Sequence, residues 1–407
     1  MKVLLVNKFH YIKGGSETYY FGLGEMLEKS GCEVIYFSMQ DEKNRPCAQA
    51  EYFVDNVDFN APMSKLQTAK TALKMLYSWE AKDKFDKLLQ KEKPDIIHLN
   101  IFQSQLTASI VDVAKKHGVP VVYTAHDLKS ICPNYQMLTQ GQACERCLGG
   151  KYTNCVKYKC MKDSRAKSLL ATLEAYIYKW KKIYDKLDLI ITPSGFYKSR
   201  IDAAGIAKCP VVHMANFLPA GTQYQCRNAN GDYFLYFGRL SREKGILTLI
   251  RAYAKAKVEK PLYIVGTGPV KEQIEELVRQ ESLEDRVKLL GFRSGQELQD
   301  IVDNALCVCL PSEWYENGPY SIMEAQAAGK PAVVSGYGGL PELVENGVTG
   351  YIAKPKDVDD LAEKLELCEQ HGLWDTDEIV RRAQAKYSAE QYVADLLKHY
   401  EKLIKQR

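Results

Sequence analysis

No stretch of this 407-residue chain stays apolar long enough to cross a bilayer. The first apolar run, Val3 to Val6, passes at once into Asn7, Lys8 and His10, which is too short for the core of a signal peptide. Charge of one sign is also scarce: 55 Lys and Arg stand against 51 Asp and Glu, a formal balance of +4. A nucleic-acid partner would require a concentrated basic face, and the basic residues are scattered, so no such partner is expected. No internal repeat recurs, which excludes a solenoid. These absences point to a cytoplasmic protein, which is expected to keep its twelve cysteines as free or metal-bound thiols.

What is present is an alternation. Short β-branched runs at Lys2 to Val6, Val34 to Phe37, Ile96 to Leu99, Val119 to Tyr123 and Leu189 to Thr192 read as buried strands. Helical patterns such as Ser16 to Lys29 and Gln103 to His117 separate them. After Asn216-Phe217-Leu218-Pro219 and a polar linker at Gly221 to Asp232, a second series opens. Its strands are expected at Tyr233 to Phe237, Leu262 to Val265, Val287 to Leu289, Leu306 to Cys309 and Ala332 to Val334. The pattern predicts an α/β protein of two tandem doubly wound domains, 1–217 and 218–387, with a ligand cleft at the carboxyl ends of their sheets. Ala389 to Ile404 reads as an amphipathic helix that packs back toward the N-terminal domain.

The segment from Pro311 to Pro331 carries most of the chemistry. A strand ends at Leu310, and Gly318-Pro319 suits a helix entry, with Pro at the first helical position and Gly329 and Pro331 ending the helix. Asn317, Gly318, Pro319, Tyr320 and Ser321 are expected to form an anion site at that helix end, through the N–H groups left unpaired there. Glu316 and Glu324 would repel phosphate, so their expected use is to accept hydroxyl groups of sugar rings, or else they are solvated acids. Arg239 and Lys244 follow a strand end between Gly238 and Gly245, from where both can reach a diphosphate without a metal, or serve as surface charges. A third loop, Gly266-Thr267-Gly268-Pro269, lacks the spacing of the dinucleotide fingerprint. Asp357-Val358-Asp359 suits helix capping better than metal binding.

In order and spacing, Phe237 to Gly245, Gly266 to Pro269, Gly291-Phe292 and Pro311 to Val344 resemble the C-terminal domain of glycosyltransferase family 4. The resemblance implies the two-domain GT-B fold and retaining, metal-independent transfer from a nucleotide-sugar such as a UDP- or GDP-sugar. It places Glu316 on the transferred sugar, Glu324 on the ribose, Arg239 and Lys244 on the diphosphate, and Phe292 in the donor site. In the N-terminal half, Gly14 and Gly15 match the family's glycine pair near the donor phosphates, and His126, followed by Asp127, matches its histidine near the transferred sugar. The chain departs from the family pattern where Glu316 is followed by Asn-Gly-Pro-Tyr and Asn216 by Phe217. The family makes a glycan or lipid-linked acceptor of a bacterial surface polysaccharide the expected partner. A nucleotide-sugar isomerase on the same frame, or a subunit that binds without catalysis, are the alternatives.

Two further segments stand apart. An insert at about 128–163 holds Cys132, Cys144, Cys147, Cys155 and Cys160. The last four have the spacing of a structural zinc site, with free or paired thiols as the other reading. Ser168 to Lys186 carries Leu169, Leu170, Leu173, Tyr176, Ile177, Trp180 and Ile183 at helical spacing beside Lys179, Lys181, Lys182 and Lys186. It is either a peripheral membrane helix serving a lipid-linked acceptor or a core-facing helix with a solvated basic side.

Overall fold

A computed structural model describes residues 1–56, 65–219 and 231–406. The expected linker at Gly221 to Asp232 lies outside the described residues except for its last two positions. The chain divides into two compact units, one of 1–139, 144–220 and 389–407, the other of 140–143 and 221–388.

The first unit is built on six parallel strands: β1 (Lys2–Val6), β2 (Glu33–Phe37), β3 (Ile96–Leu99), β4 (Val121–Thr124), β5 (Leu189–Thr192) and β6 (Val211–His213). Their spatial order is β2-β1-β3-β4-β5-β6, with Val3 opposite both Val34 and Ile96. The second unit has β7 (Tyr233–Phe237), β8 (Leu262–Val265), β9 (Val287–Gly291), β10 (Ala305–Leu310), β11 (Ala332–Ser335) and β12 (Gly350–Ala353), in the order β9-β8-β7-β10-β11-β12. Both sheets are parallel throughout. Helices cover both faces of such a sheet, so inner strands bury every side chain, as β3, β4, β7 and β10 do.

The strand order reverses between β1 and β3 in the first unit and between β7 and β10 in the second. At a reversal the neighbouring connections leave in opposite directions, which opens a crevice at the carboxyl ends of the two strands. Asn7-Lys8 and Asn100-Ile101 follow one such pair of strands, and Gly238-Arg239 and Pro311-Ser312 the other.

Several expected boundaries shift. Gln103 to His117 is not one helix: Ser104 and Thr107 take left-handed backbone at φ 70° and 64°, and the helix runs only Ser109–Lys116. Strand β4 starts at Val121 rather than Val119, because Pro120 holds the residue before it extended and cannot donate to the ladder. The terminal helix spans Ala389–Lys405 and belongs to the first unit. There the Tyr392 and Tyr19 hydroxyls meet at 2.6 Å, and the buried His98 joins the Tyr400 hydroxyl through Nδ1 and Thr124 through Nε2 at 2.7 Å.

Candidate functional site

In the second unit the loop after β10 folds back on itself. Glu316 is buried, and three donors converge on its Oε1: Lys244 Nζ at 2.7 Å, Ser312 Oγ at 2.6 Å and Trp314 Nε1 at 2.8 Å. No donor among the described residues takes Oε2. The carboxylate is thus fixed by one oxygen, which leaves the other able to accept. The Glu316 carbonyl also receives the Gly339 N–H at 2.7 Å, which pins the backbone. Lys244 and Glu316, 72 residues apart, were expected to engage different parts of a ligand; the structure pairs them directly.

Arg239 is two-thirds exposed and pairs with Glu243 at 2.7 Å. Although burial works the other way, the Ser241 hydroxyl and the Arg239 guanidinium hold the Glu243 carboxyl below its usual value. An exposed pair of this kind is worth about 0–1 kcal/mol, so Arg239 can exchange it for a ligand anion at little cost.

The helix after this loop is Tyr320–Ala327, with Pro319 in extended backbone as its cap rather than in its first turn. Of the five residues expected to offer amides, only Tyr320 and Ser321 therefore lie in the helix. Asn317 and Gly318 precede it, and Pro319 has no N–H to give. Glu324, partly exposed, sits one turn in. Gly329 takes φ 72° and ends the helix, as its position implied. Asp357 caps the helix Val358–Gln370, accepting from the amides of Asp359 and Asp360.

The glycine loops have an internal reason for their composition. A Cβ on Gly266 would stand 1.8 Å from the Gly238 carbonyl, and one on Gly268 2.1 Å from that of Leu240. Close loop contact beside the β7 carboxyl end therefore requires glycine whether or not a ligand approaches. Phe292, at the end of β9, is 67% exposed and its ring is open to solvent.

In the first unit, Gly14 has extended backbone at φ −174°, which any residue adopts, and caps the helix Gly15–Lys29. A Cβ there would meet nothing closer than a Glu17 oxygen at 3.9 Å, so the fold itself does not demand glycine. Buried Glu17 accepts from Asn7 Nδ2 at 3.1 Å. His126 bonds through Nε2 to Asn100 Oδ1 at 2.9 Å, and burial pushes its pKa down to about 3. It is therefore neutral at physiological pH.

Two family models match the chain, one described as "Glycosyltransferase Family 4" over residues 13–219 and one as "Glycosyl transferases group 1" over 225–402. The chain belongs to glycosyltransferase family 4. Among curated relatives, it is 29% identical over 231 residues to the "Putative colanic acid biosynthesis glycosyltransferase WcaL" of Escherichia coli (strain K12), covering 53% of this chain and 55% of that one. It is also 29% identical over 232 residues to the "Amylovoran biosynthesis glycosyltransferase AmsK" of Erwinia amylovora, covering 54% and 56%. The chain thus spans about half the length of the curated relatives it matches. Among solved structures, sucrose-phosphate synthase from Thermosynechococcus elongatus superposes with a TM-score of 0.71 at 20% identity over the whole of both chains, a likeness of fold. The doubly wound pair of units is thus the GT-B architecture of this family 4 chain.

The expected cysteine site is only partly assembled. Cys132, Cys144, Cys147, Cys155 and Cys160 line one small cavity in the insert, and all are free thiols. Cys147 and Cys155 are buried with Tyr152 as a local core, and burial pushes the Cys147 thiol up to about 12. Among the described residues, no three Cys, His, Asp or Glu side chains stand as a group able to hold a metal ion.

The helix expected over Ser168 to Lys186 runs Arg165–Trp180. It buries Ser168, Ala171, Thr172, Glu174 and Tyr178, and leaves Leu169, Leu173 and Trp180 exposed. The apolar stripe read from spacing is therefore divided: Leu169, Leu173 and Trp180 face outward, Leu170, Tyr176 and Ile177 are partly buried, and Ile183, beyond the helix, is fully buried. No helix among the described residues is long and apolar enough to cross a membrane.

Residue reading missed Ser312 and Trp314 as holders of Glu316, and Asn100 as the partner of His126. The first two stand four and two positions before Glu316 in a loop, where sequence spacing gives no direction to a side chain. The signal available for Asn100 was its place directly after β3, at the strand reversal.

Proposed function

We propose that the chain is a retaining glycosyltransferase of bacterial surface polysaccharide synthesis, moving a sugar from a UDP- or GDP-sugar to a glycan or lipid-linked glycan. The observation that carries this is the pairing of partly buried Lys244 with buried Glu316 at the β7–β10 reversal, at 2.7 Å, with Oε2 of Glu316 open. A donor diphosphate would draw Lys244 from Glu316 and Arg239 from Glu243, supplying two cations without a metal. The first-turn amides of Tyr320 and Ser321 would add the dipole of their helix. Glu316, its Oε1 still held by Ser312 and Trp314, would accept hydroxyls of the transferred sugar on Oε2. Glu324 would take the ribose, Phe292 would lie along the base, and Gly15 together with Gly14, where the fold itself does not demand glycine, would admit the phosphates.

As the bond from the anomeric carbon to the phosphate oxygen breaks, negative charge collects on the diphosphate. Arg239, Lys244 and the helix end stabilise it. The acceptor hydroxyl attacks from the same face and gives its proton to the departing phosphate oxygen. His126, being neutral, would hydrogen-bond the sugar and carry no charge into the step.

The test is thermal stabilisation of the full chain by a panel of nucleoside diphosphates and their sugars. A ligand at a hundred times its dissociation constant raises stability by about 2.7 kcal/mol. One nucleotide-sugar is expected to stabilise the wild type and Glu324→Ala much less. If no nucleotide stabilises either, the assignment fails.

A further inference from the structure

The first unit contains a cavity of about 270 Å³ that the donor chemistry does not use. It opens at the reversal between β1 and β3, where Lys8, Ile101 and Asp127 follow β1, β3 and β4. The helices Lys65–Leu76 and Arg165–Trp180 wall it with Met75 and Leu170, and the insert contributes Met161.

Its charges are unequal. Four lysines line it, Lys8, Lys129, Lys162 and Lys167, against one carboxylate, Asp127. Lys129 is spoken for, held by buried Glu174 at 2.9 Å. Lys8 is not: its ammonium lies 5.2 Å over the Phe9 ring and makes no hydrogen bond or ion pair among the described residues. Burial disfavours its charge, and the nearby Asp127 and Glu17 oppose that only in part. A half-buried cation facing a cavity without a partner is costly unless an anion comes to it.

The outside of the same two helices carries exposed leucines among lysines. Leu73 is 67% exposed, Leu169 49% and Leu173 41%, on the helices that wall the cavity, with the exposed Lys70 and Lys167 on those helices as well. Exposed leucines beside lysines form a surface that suits an anionic amphiphile rather than a free sugar.

We propose that this cavity binds the phosphate of a lipid-linked acceptor, with Lys8 and Lys167 on the anion and the acyl or prenyl-like chain leaving over Met75, Leu169 and Leu173. The assignment rests on the glycosyltransferase reading and names the acceptor class. His126, adjacent in sequence to Asp127, bonds Asn100 after β3, so the lipid phosphate would sit at the same sheet edge as the expected transfer point.

Binding of dodecyl phosphate below its micellar concentration, measured by calorimetry on the full chain, tests this against dodecyl maltoside and inorganic phosphate. Wild type is expected to bind dodecyl phosphate at least about ten-fold tighter than either control, and Lys8→Met to lose about ten-fold, the scale of one charge-assisted contact. Lys167→Glu, at an exposed position that folding does not need, is expected to weaken binding in the same direction. Leu169→Ser with Leu173→Ser should weaken dodecyl phosphate and leave butyl phosphate unchanged. Equal affinity for the maltoside, equal affinity for inorganic phosphate, or no effect of Lys8→Met and Lys167→Glu overturns the proposal. Nucleoside diphosphate binding is read on the same variants. Its retention in Lys8→Met ties the loss to the acceptor cavity, whereas its absence in the wild type sinks the transferase reading and the acceptor role with it.

Discussion

At the scale of single residues, the decisive feature is that Glu316 spends one oxygen on three donors and keeps the other. Lys244→Ala removes the partner of Glu316 and, on the proposed function, a cation from the diphosphate. Turnover is expected to fall by about 10² to 10³, the scale of losing one preorganised charge-stabilising donor. Near-normal turnover in Lys244→Ala and Arg239→Ala would remove these residues from the chemistry. The buried histidines make a separate prediction about pH. Burial lowers the pKa of His98 from 6.5 to about 3 and that of His10 to about 4. A lowered folded pKa means the unfolded chain binds the proton first. The stability from each neutral histidine is therefore complete above 6.5 and is lost as pH falls from there toward the folded value. The slope is at most about 1.4 kcal/mol per pH unit for each group. Urea midpoints are expected to drop from pH 7 to pH 5, and a flat profile across that range would show the two rings are not buried neutral.

At the scale of elements, the cysteine insert separates two kinds of cysteine. Cys147 and Cys155 act as core atoms, whereas Cys144 and Cys160 are half-exposed. A structural zinc remains a proposal for this insert, and would require the four thiols that line the cavity to converge on one point as thiolates. Metal analysis of protein made without chelator or polyhistidine tag decides between them. About one zinc per chain, lost together with order in the insert, supports a four-thiolate site, and well under one leaves the cysteines as packing. The strands show why some elements were legible and others were not. Every inner strand announced itself as an apolar run, because both of its faces are covered. The edge strands β6 and β12 did not: they are three and four residues long, and β12 opens on Gly350. The break at Ser104 and Thr107 was hidden because left-handed backbone at a non-glycine leaves no mark in the residue pattern.

At the scale of the whole molecule, the chain ends in the unit where it began. Tyr392, Val393, Leu396 and Tyr400 of the terminal helix are buried, and at about 1.5 to 3 kcal/mol each they contribute an upper estimate of roughly 6 to 12 kcal/mol. That is comparable to the whole stability of a typical domain. Deleting 389–407 is therefore expected to unfold the first unit, seen as loss of its cooperative melting transition. Tyr400→Phe, which leaves His98 Nδ1 without its partner, should cost only about 1 to 3 kcal/mol. An unchanged melt after the deletion would show the helix to be dispensable. By itself the sequence determined the α/β class, the two series of strands and the family, because periodicity, glycine placement and motif spacing are local properties; the same spacing is what proposes Arg239, Lys244, Glu316 and Glu324 as the donor site. Only the tertiary structure decided that Lys244 closes on Glu316, that the thiols of the insert are divided between core and surface, that Leu169 and Leu173 face outward, and that Lys8 faces a cavity. Each of these depends on side chains brought together by strand order across tens of residues, and strand order is set by packing rather than by any single segment.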